Sequence, residues 1–158
     1  MGSSQWVMLA YRLPRTPSTP RITLWRKLRR LGVAQIAEGV VALPATADAR
    51  EQLEWLADDV VQAGGEATIW LAEPATAAER RRLAAAMTER IDDEYRTITA
   101  EARATAGRPA TERRRTLARL RRELRRVGAR QYFQTAEAQV ARDAVESLAD
   151  AVAAEAAA

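Results

Sequence analysis

Between Trp6 and Gly32 the sequence reads WVMLAYRLPRTPSTPRITLWRKLRRLG: an apolar strand, a proline-punctuated basic loop and a basic helix in immediate succession. Trp6 to Ala10 are mostly large and apolar, the pattern of a strand buried on both faces, and Tyr11-Arg12 ends the run. Pro14, Pro17 and Pro20 forbid regular hydrogen bonding and hold the loop extended. Ser18 or Thr19 is placed to cap the helix that follows, with Pro20 at its first position, where a missing N–H is harmless. A helix start exposes free N–H groups and the positive end of the dipole, normally answered by acidic side chains. Here the nearby charges are Arg12, Arg15 and Arg21, which repel the dipole unless an anion completes the arrangement.

The 158 residues include neither cysteine nor histidine. That excludes disulfides, thiol nucleophiles, histidine general bases and the usual zinc and iron sites. No apolar run approaches the roughly 20 residues that span a bilayer, and no segment has the layout of a signal peptide, so a cytoplasmic location is expected. The net charge is +4, but its distribution is uneven. Residues 1–72 carry eight basic and seven acidic groups, whereas 108–130 carry ten arginines against two glutamates, a net of +8. Lys27 is the single lysine among 25 cationic residues. Arginine favours bidentate contacts with phosphate and other oxyanions.

After the first helix (about 20–31), Ala34 to Glu38 and Val40 to Leu43 read as a hairpin turning at Glu38-Gly39. Asp48 to Ala63 form an amphipathic helix closed by Gly64-Gly65, and Ala67 to Ala72 a fourth strand. The expected fold is α+β: a ferredoxin-like β-α-β-β-α-β domain over 5–73, its sheet covered by two helices whose Trp25 and Trp55 pack against it. A helical extension over 75–156 follows, a hairpin or three-helix arrangement. Leu83, Met87, Ile91, Ile98 and Ala102 mark one helix, and Leu117, Leu120, Leu124 and Val127 a second, ended by Gly128. A third runs from about 131 to 155 on Phe133, Ala136, Val140, Ala144, Leu148 and Val152, with a fraying end.

The segments WVMLAYRLPRTPSTPRITLWRKLRRLG (6–32), EGVVALPA (38–45), REQLEWLADDVVQAGGEATIWLA (50–72) and RRELRRVGARQYF (121–133) resemble the N-terminal domain of the chromate-resistance regulator ChrB. The likeness covers nearly the whole chain and rests on tryptophans, prolines and glycine breaks that agree in order and spacing. It implies DNA binding, a response to chromate, control of a chromate-efflux operon and a cytoplasmic location. ChrB-type proteins continue into a C-terminal domain, whereas this sequence stops at Ala158, as a stand-alone relative or an excised domain would. Gln131-Tyr132-Phe133 stands where the family leads one to expect an acidic-aromatic element. The loop and sheet are more loosely similar to the phenylacetate-repressor family PaaX and to a small ferredoxin-like CRISPR nuclease. The nuclease has an acidic residue just after its first strand; Tyr11-Arg12-Leu13 supplies none, which disfavours metal-dependent cleavage.

Arg12, Arg15 and Arg21 are the candidates for an oxyanion, chromate or a DNA phosphate; the alternative is pairing with Glu38, Glu66 or Glu73. Arg26, Lys27, Arg29 and Arg30 form either a phosphate-contacting or a solvated helix face. Arg113, Arg114, Arg115, Arg119, Arg122 and Arg126, with Arg121 and Arg125, surround all but the leucine seam of the 108–130 helix. Like charges at i,i+3 and i,i+4 destabilise a helix, so DNA phosphates, a second copy or the acidic flank Glu137, Asp143, Glu146 and Asp150 must offset them. Asp92-Asp93-Glu94 and Asp58-Asp59 read as solvated faces rather than Mg²⁺ ligands, because consecutive helical positions point apart. No base-reading motif is recognisable. The reading is a DNA-binding transcriptional regulator associated with chromate resistance, non-enzymatic, with no catalytic residue, metal or cofactor and no membrane partner. The alternative is an interaction or dimerisation module whose arginines pair with partner carboxylates.

Overall fold

The opening apolar run forms β1 (Trp6–Arg12), an inner strand paired on both sides. The structure, a computed structural model, describes residues 4–158. The other strands are β2 (Ala34–Ala37), β3 (Val40–Pro44) and β4 (Glu66–Ala72), in the antiparallel order β2-β3-β1-β4. Val7 lies opposite Leu43 and Leu71, and Leu9 opposite Val41 and Ile69, so these side chains share one face. Val7, Leu9, Val41 and Leu43 are wholly buried; Trp6, on the other face, is buried as well, as expected of a strand covered on both sides.

The helix α1 (Thr19–Leu31) joins β1 to β2, and α2 (Ala47–Gln62) joins β3 to β4. Each crossover skips one strand position, since β3 lies between β1 and β2 and β1 between β3 and β4. The inner stripe of α1 is Leu24 and Leu28, and that of α2 is Ala49, Leu53, Leu56 and Val60. Trp25 and Trp55 therefore do not pack on the sheet. Each is one residue, about 100° of helix, away from the inner stripe, and they are 55% and 56% exposed. Pro20 occupies the second helical position rather than the first, and the Ser18 side chain makes no cap bond. On α2 the Thr46 hydroxyl does cap, accepting from the Ala49 N–H at 3.0 Å.

The remaining helices are α3 (Ala77–Thr105), α4 (Ala110–Gly128) and α5 (Ala136–Ala157). The molecule is thus a mixed α/β protein with a four-stranded antiparallel sheet and five helices. It divides into two compact units, Met1–Met87 and Thr88–Ala158, with α3 running through the division. In the second unit one core joins Ile91, Tyr95, Ile98 and Ala102 of α3, Leu117, Leu120 and Val127 of α4, and Ala138, Ala141, Val145 and Leu148 of α5.

Two features of that core differ from the sequence expectation. Tyr95, 1% exposed, fills the gap between Ile91 and Ile98 and donates its phenol hydrogen to Gln131 Oε1 at 2.6 Å. On α5 the helix starts at Ala136, where the Thr135 hydroxyl accepts from Ala138 N–H at 3.0 Å, so Phe133 lies outside it. The buried seam then runs 138, 141, 145, 148, a 3-4-3 spacing, which leaves Ala136 and Val140 exposed. The C-terminal alanines remain helical to Ala157.

Candidate nucleic-acid interface

The strongest concentration of charge lies on α4, and the helix sorts it by angle. At about 100° per residue, Leu117, Leu120, Leu124 and Val127 occupy an arc of about 80°, the side that enters the core. Arg114, Arg115, Arg121, Arg122, Arg125 and Arg126 are all exposed and fall within a separate arc of about 140° on the roughly opposite side. The two carboxylates of the helix, Glu112 and Glu123, lie outside that arc. Among the described residues none of the six arginines forms an ion pair.

The other arginines of the segment are engaged within the unit. Arg113 pairs with Glu155 of α5, and Arg119 with Glu101 of α3 as well as with Glu123 at 2.9 Å. Hydrogen bonding to Glu101 and then to Glu123 raises the Arg119 guanidinium further above its ordinary value. Arg130, just past α4, grips Glu94 with two hydrogen bonds of 2.8 and 2.7 Å. Arg96 of α3 reaches Glu137 at 3.3 Å and Asp93 at 2.8 Å. Of the acidic flank expected to answer α4, Glu137 pairs with α3 instead; Asp143, Glu146 and Asp150 form no ion pair among the described residues.

Of the expected phosphate contacts, Arg114, Arg115, Arg122 and Arg126 are thus free, while Arg113 and Arg119 are held in ion pairs. Arg121 and Arg125 belong with the free set. On α1, Lys27 donates to Asp59 of α2 at 2.7 Å. Arg29 stacks over the Trp25 ring, 4.7 Å from its centroid. Arg26 and Arg30 are exposed and form no ion pair among the described residues.

The loop arginines form a second basic feature. Arg12, Arg15 and Arg21 line one groove of about 900 Å³ with Tyr11, Trp25 and Glu38. None of the three arginines forms an ion pair among the described residues, so the expected alternative partners Glu38, Glu66 and Glu73 do not hold them. Burial raises the Tyr11 phenol above its ordinary pKa, Arg21 acting against that rise and Glu38 with it. Gly39 (φ +74°) closes the wall: its carbonyl accepts from Tyr11 N–H at 2.8 Å, and a Cβ there would stand 2.5 Å from the Tyr11 carbonyl oxygen. A tetrahedral oxyanion fills on the order of 100 Å³ if each oxygen takes about a water's share of volume. The groove is therefore an open basic cleft with room for a phosphodiester segment as well as for a single oxyanion. Among the described residues no group of three His, Cys, Asp or Glu side chains could hold a metal ion.

Comparison with known proteins adds the family. The sequence profile described as "Protein ChrB, N-terminal" matches residues 21–157. The chain belongs to that family. Protein ChrB of Cupriavidus metallidurans is 32% identical over 66 residues, a match covering 42% of this chain and 20% of that relative's length. The matched span contains α4 and Arg21, whereas Arg12 and Arg15 precede it. No helix among the described residues is long and apolar enough to cross a membrane.

Proposed function

We propose that this chain is a non-enzymatic, DNA-binding module of a transcriptional regulator that acts in the cytoplasm in chromate resistance. One observation carries the reading: six unpaired arginines on one face of α4, in an arc free of carboxylates. The ion pairs of Arg113, Arg119 and Arg130 brace α4 against α3 and α5, so that face belongs to a fixed scaffold. Arginines without internal partners suit phosphate oxygens, which accept two parallel N–H bonds from one guanidinium. The loop groove is the place where chromate or another oxyanion would enter, on Arg12, Arg15 and Arg21. The ferredoxin-like reading of the first unit is supported by its β-α-β-β-α-β order and by crossovers that each skip a strand.

Fluorescence anisotropy with the gene's own upstream duplex, beside an unrelated duplex of equal length, tests the regulator. Tighter binding to the upstream duplex is expected. Equal binding to both reduces the role to phosphate attraction, and no binding at low salt removes it. Calorimetry with chromate against sulfate tests the groove separately: chromate heat lost in Arg12→Ala or Arg15→Ala is expected, and indifference of both variants removes the loop from the site.

A second reading, an interaction module that docks on a partner or a second copy, is favoured by Trp25, Trp55 and Trp70, each more than half exposed. Tryptophan concentrates binding energy at protein interfaces. Sedimentation of the wild type beside Trp55→Ala decides it for the second copy: a dimer that dissociates in the variant supports this reading, and a monomer in both removes self-association.

A further inference from the structure

We infer that α4 lies along the major groove of double-stranded DNA with one row of arginines on each phosphate wall. This rests on the DNA-binding reading above and concerns how the same face engages its partner. The six free arginines are not spread evenly over their arc. At about 100° per residue, Arg114, Arg121 and Arg125 stand within about 20° of one line along the helix. Arg115, Arg122 and Arg126 stand within about 20° of a second line, about 100° further round. Between the lines run Thr111 and Ala118, exposed and small. Each row extends about 16 Å along the axis at about 1.5 Å per residue.

The width of this arrangement selects the partner. An extended arginine carries its guanidinium about 6 Å beyond a Cα that lies about 2.3 Å from the axis, which sets the tips of the two rows about 13 Å apart. The major groove of B-form DNA is about 12 Å wide and admits a helix; the minor groove, about 6 Å wide, does not. Duplex RNA has a deep, narrow major groove, and a single strand offers one line of phosphates, enough for one row only. The small middle line lets the helix backbone approach the groove floor. It also presents Thr111 and Ala118 to the base edges, side chains that can meet a polar base group or a thymine methyl, and no bidentate reader, so the mode positions the protein more than it reads sequence.

The test compares a duplex DNA, its single strand and a duplex RNA of the same length, at about 50 mM salt where phosphate contacts are strong. Ala118→Trp is measured alongside; it changes no charge and lies on an exposed position, and Ala118→Ser controls for substitution itself. Groove docking predicts that duplex DNA binds about tenfold tighter than the other two. It also predicts that Ala118→Trp loses about tenfold with folding unchanged by circular dichroism while Ala118→Ser binds like the wild type, and that methyl green, a major-groove ligand, competes. Equal binding to the three nucleic acids, or indifference to Ala118→Trp, overturns the docking mode and leaves the DNA-binding reading standing. No binding to any of them overturns that reading and this inference with it.

Discussion

If Arg122 is held on α4 for a partner rather than for the fold, removing its charge should make the protein more stable. Arg122 stands at i,i+3 and i,i+4 from Arg125 and Arg126, and none of the three has an internal carboxylate partner. Its i−3 neighbour Arg119 is compensated by Glu101 and Glu123 and contributes little repulsion. Two like-charge contacts at about 0.2–0.5 kcal/mol each give a gain of about 0.4–1 kcal/mol for Arg122→Gln. Glutamine and arginine have nearly equal helix propensities, so little of that gain is offset. At about 2–4 °C per kcal/mol for a chain of this size, the melting temperature should rise by about 1–4 °C. Urea unfolding followed by helical ellipticity at low ionic strength measures the gain, and repetition at about 1 M salt, where the screening length falls to about 3 Å, should abolish it. The same variant should bind duplex DNA with a salt slope shallower by about 0.9, the loss of one phosphate contact. Destabilisation at low salt, or a gain that survives high salt, would show instead that Arg122 serves the fold.

Other perturbations check the scaffold. Leu120, wholly inaccessible among the three helices, should cost about 2–5 kcal/mol on substitution by alanine, read as a lower urea midpoint for the second unit. Gly39→Ala forces a Cβ against the Tyr11 carbonyl at positive φ; a loss of about 1–2 kcal/mol is expected, with weaker oxyanion heat at the adjoining groove in calorimetry. Burial raises the Tyr95 phenol above its ordinary value near 10, with Arg142 and Arg130 opposing the shift and Asp92 and Glu94 adding to it. Its contribution to stability is therefore complete below about pH 10 and lost as pH rises through the raised folded value. Tyr95→Phe, which deprives Gln131 Oε1 of its donor, should be less stable by about 1 kcal/mol at neutral pH and should lose stability less steeply as pH rises above about 10. A variant as steep as the wild type would place the alkaline loss elsewhere.

The elements of the first unit were legible because each has a local cause: the apolar run of β1, the glycine turn at Gly39, the amphipathic stripe and glycine stop of α2. Where Trp25 and Trp55 point was not, because a large apolar side chain next to an inner stripe satisfies the same composition whether it faces in or out. The α5 seam slipped for a related reason: Phe133 and Ala136 continue an i+4 pattern upstream, and only the Thr135 cap shows that the helix has not yet begun. On α4 the positive charge was plain, but its division was not. Glu101, Glu94 and Glu155, which hold Arg119, Arg130 and Arg113, lie 18, 36 and 42 residues away, at separations no local pattern reveals. For the loop groove, the sequence showed the three arginines, and folding supplied Tyr11, Trp25 and Glu38 around them.

Binding of DNA phosphates by the exposed arginines of α4 is tested by the salt dependence of duplex affinity. Six contacts predict that log K falls against log salt with a slope of about −5, a loss of about a thousandfold between about 50 and 200 mM. Replacing all six arginines by glutamine should abolish that dependence while the helical core survives. A wild-type slope shallower than about −2, or a six-fold variant that still binds as the wild type does, would contradict the claim.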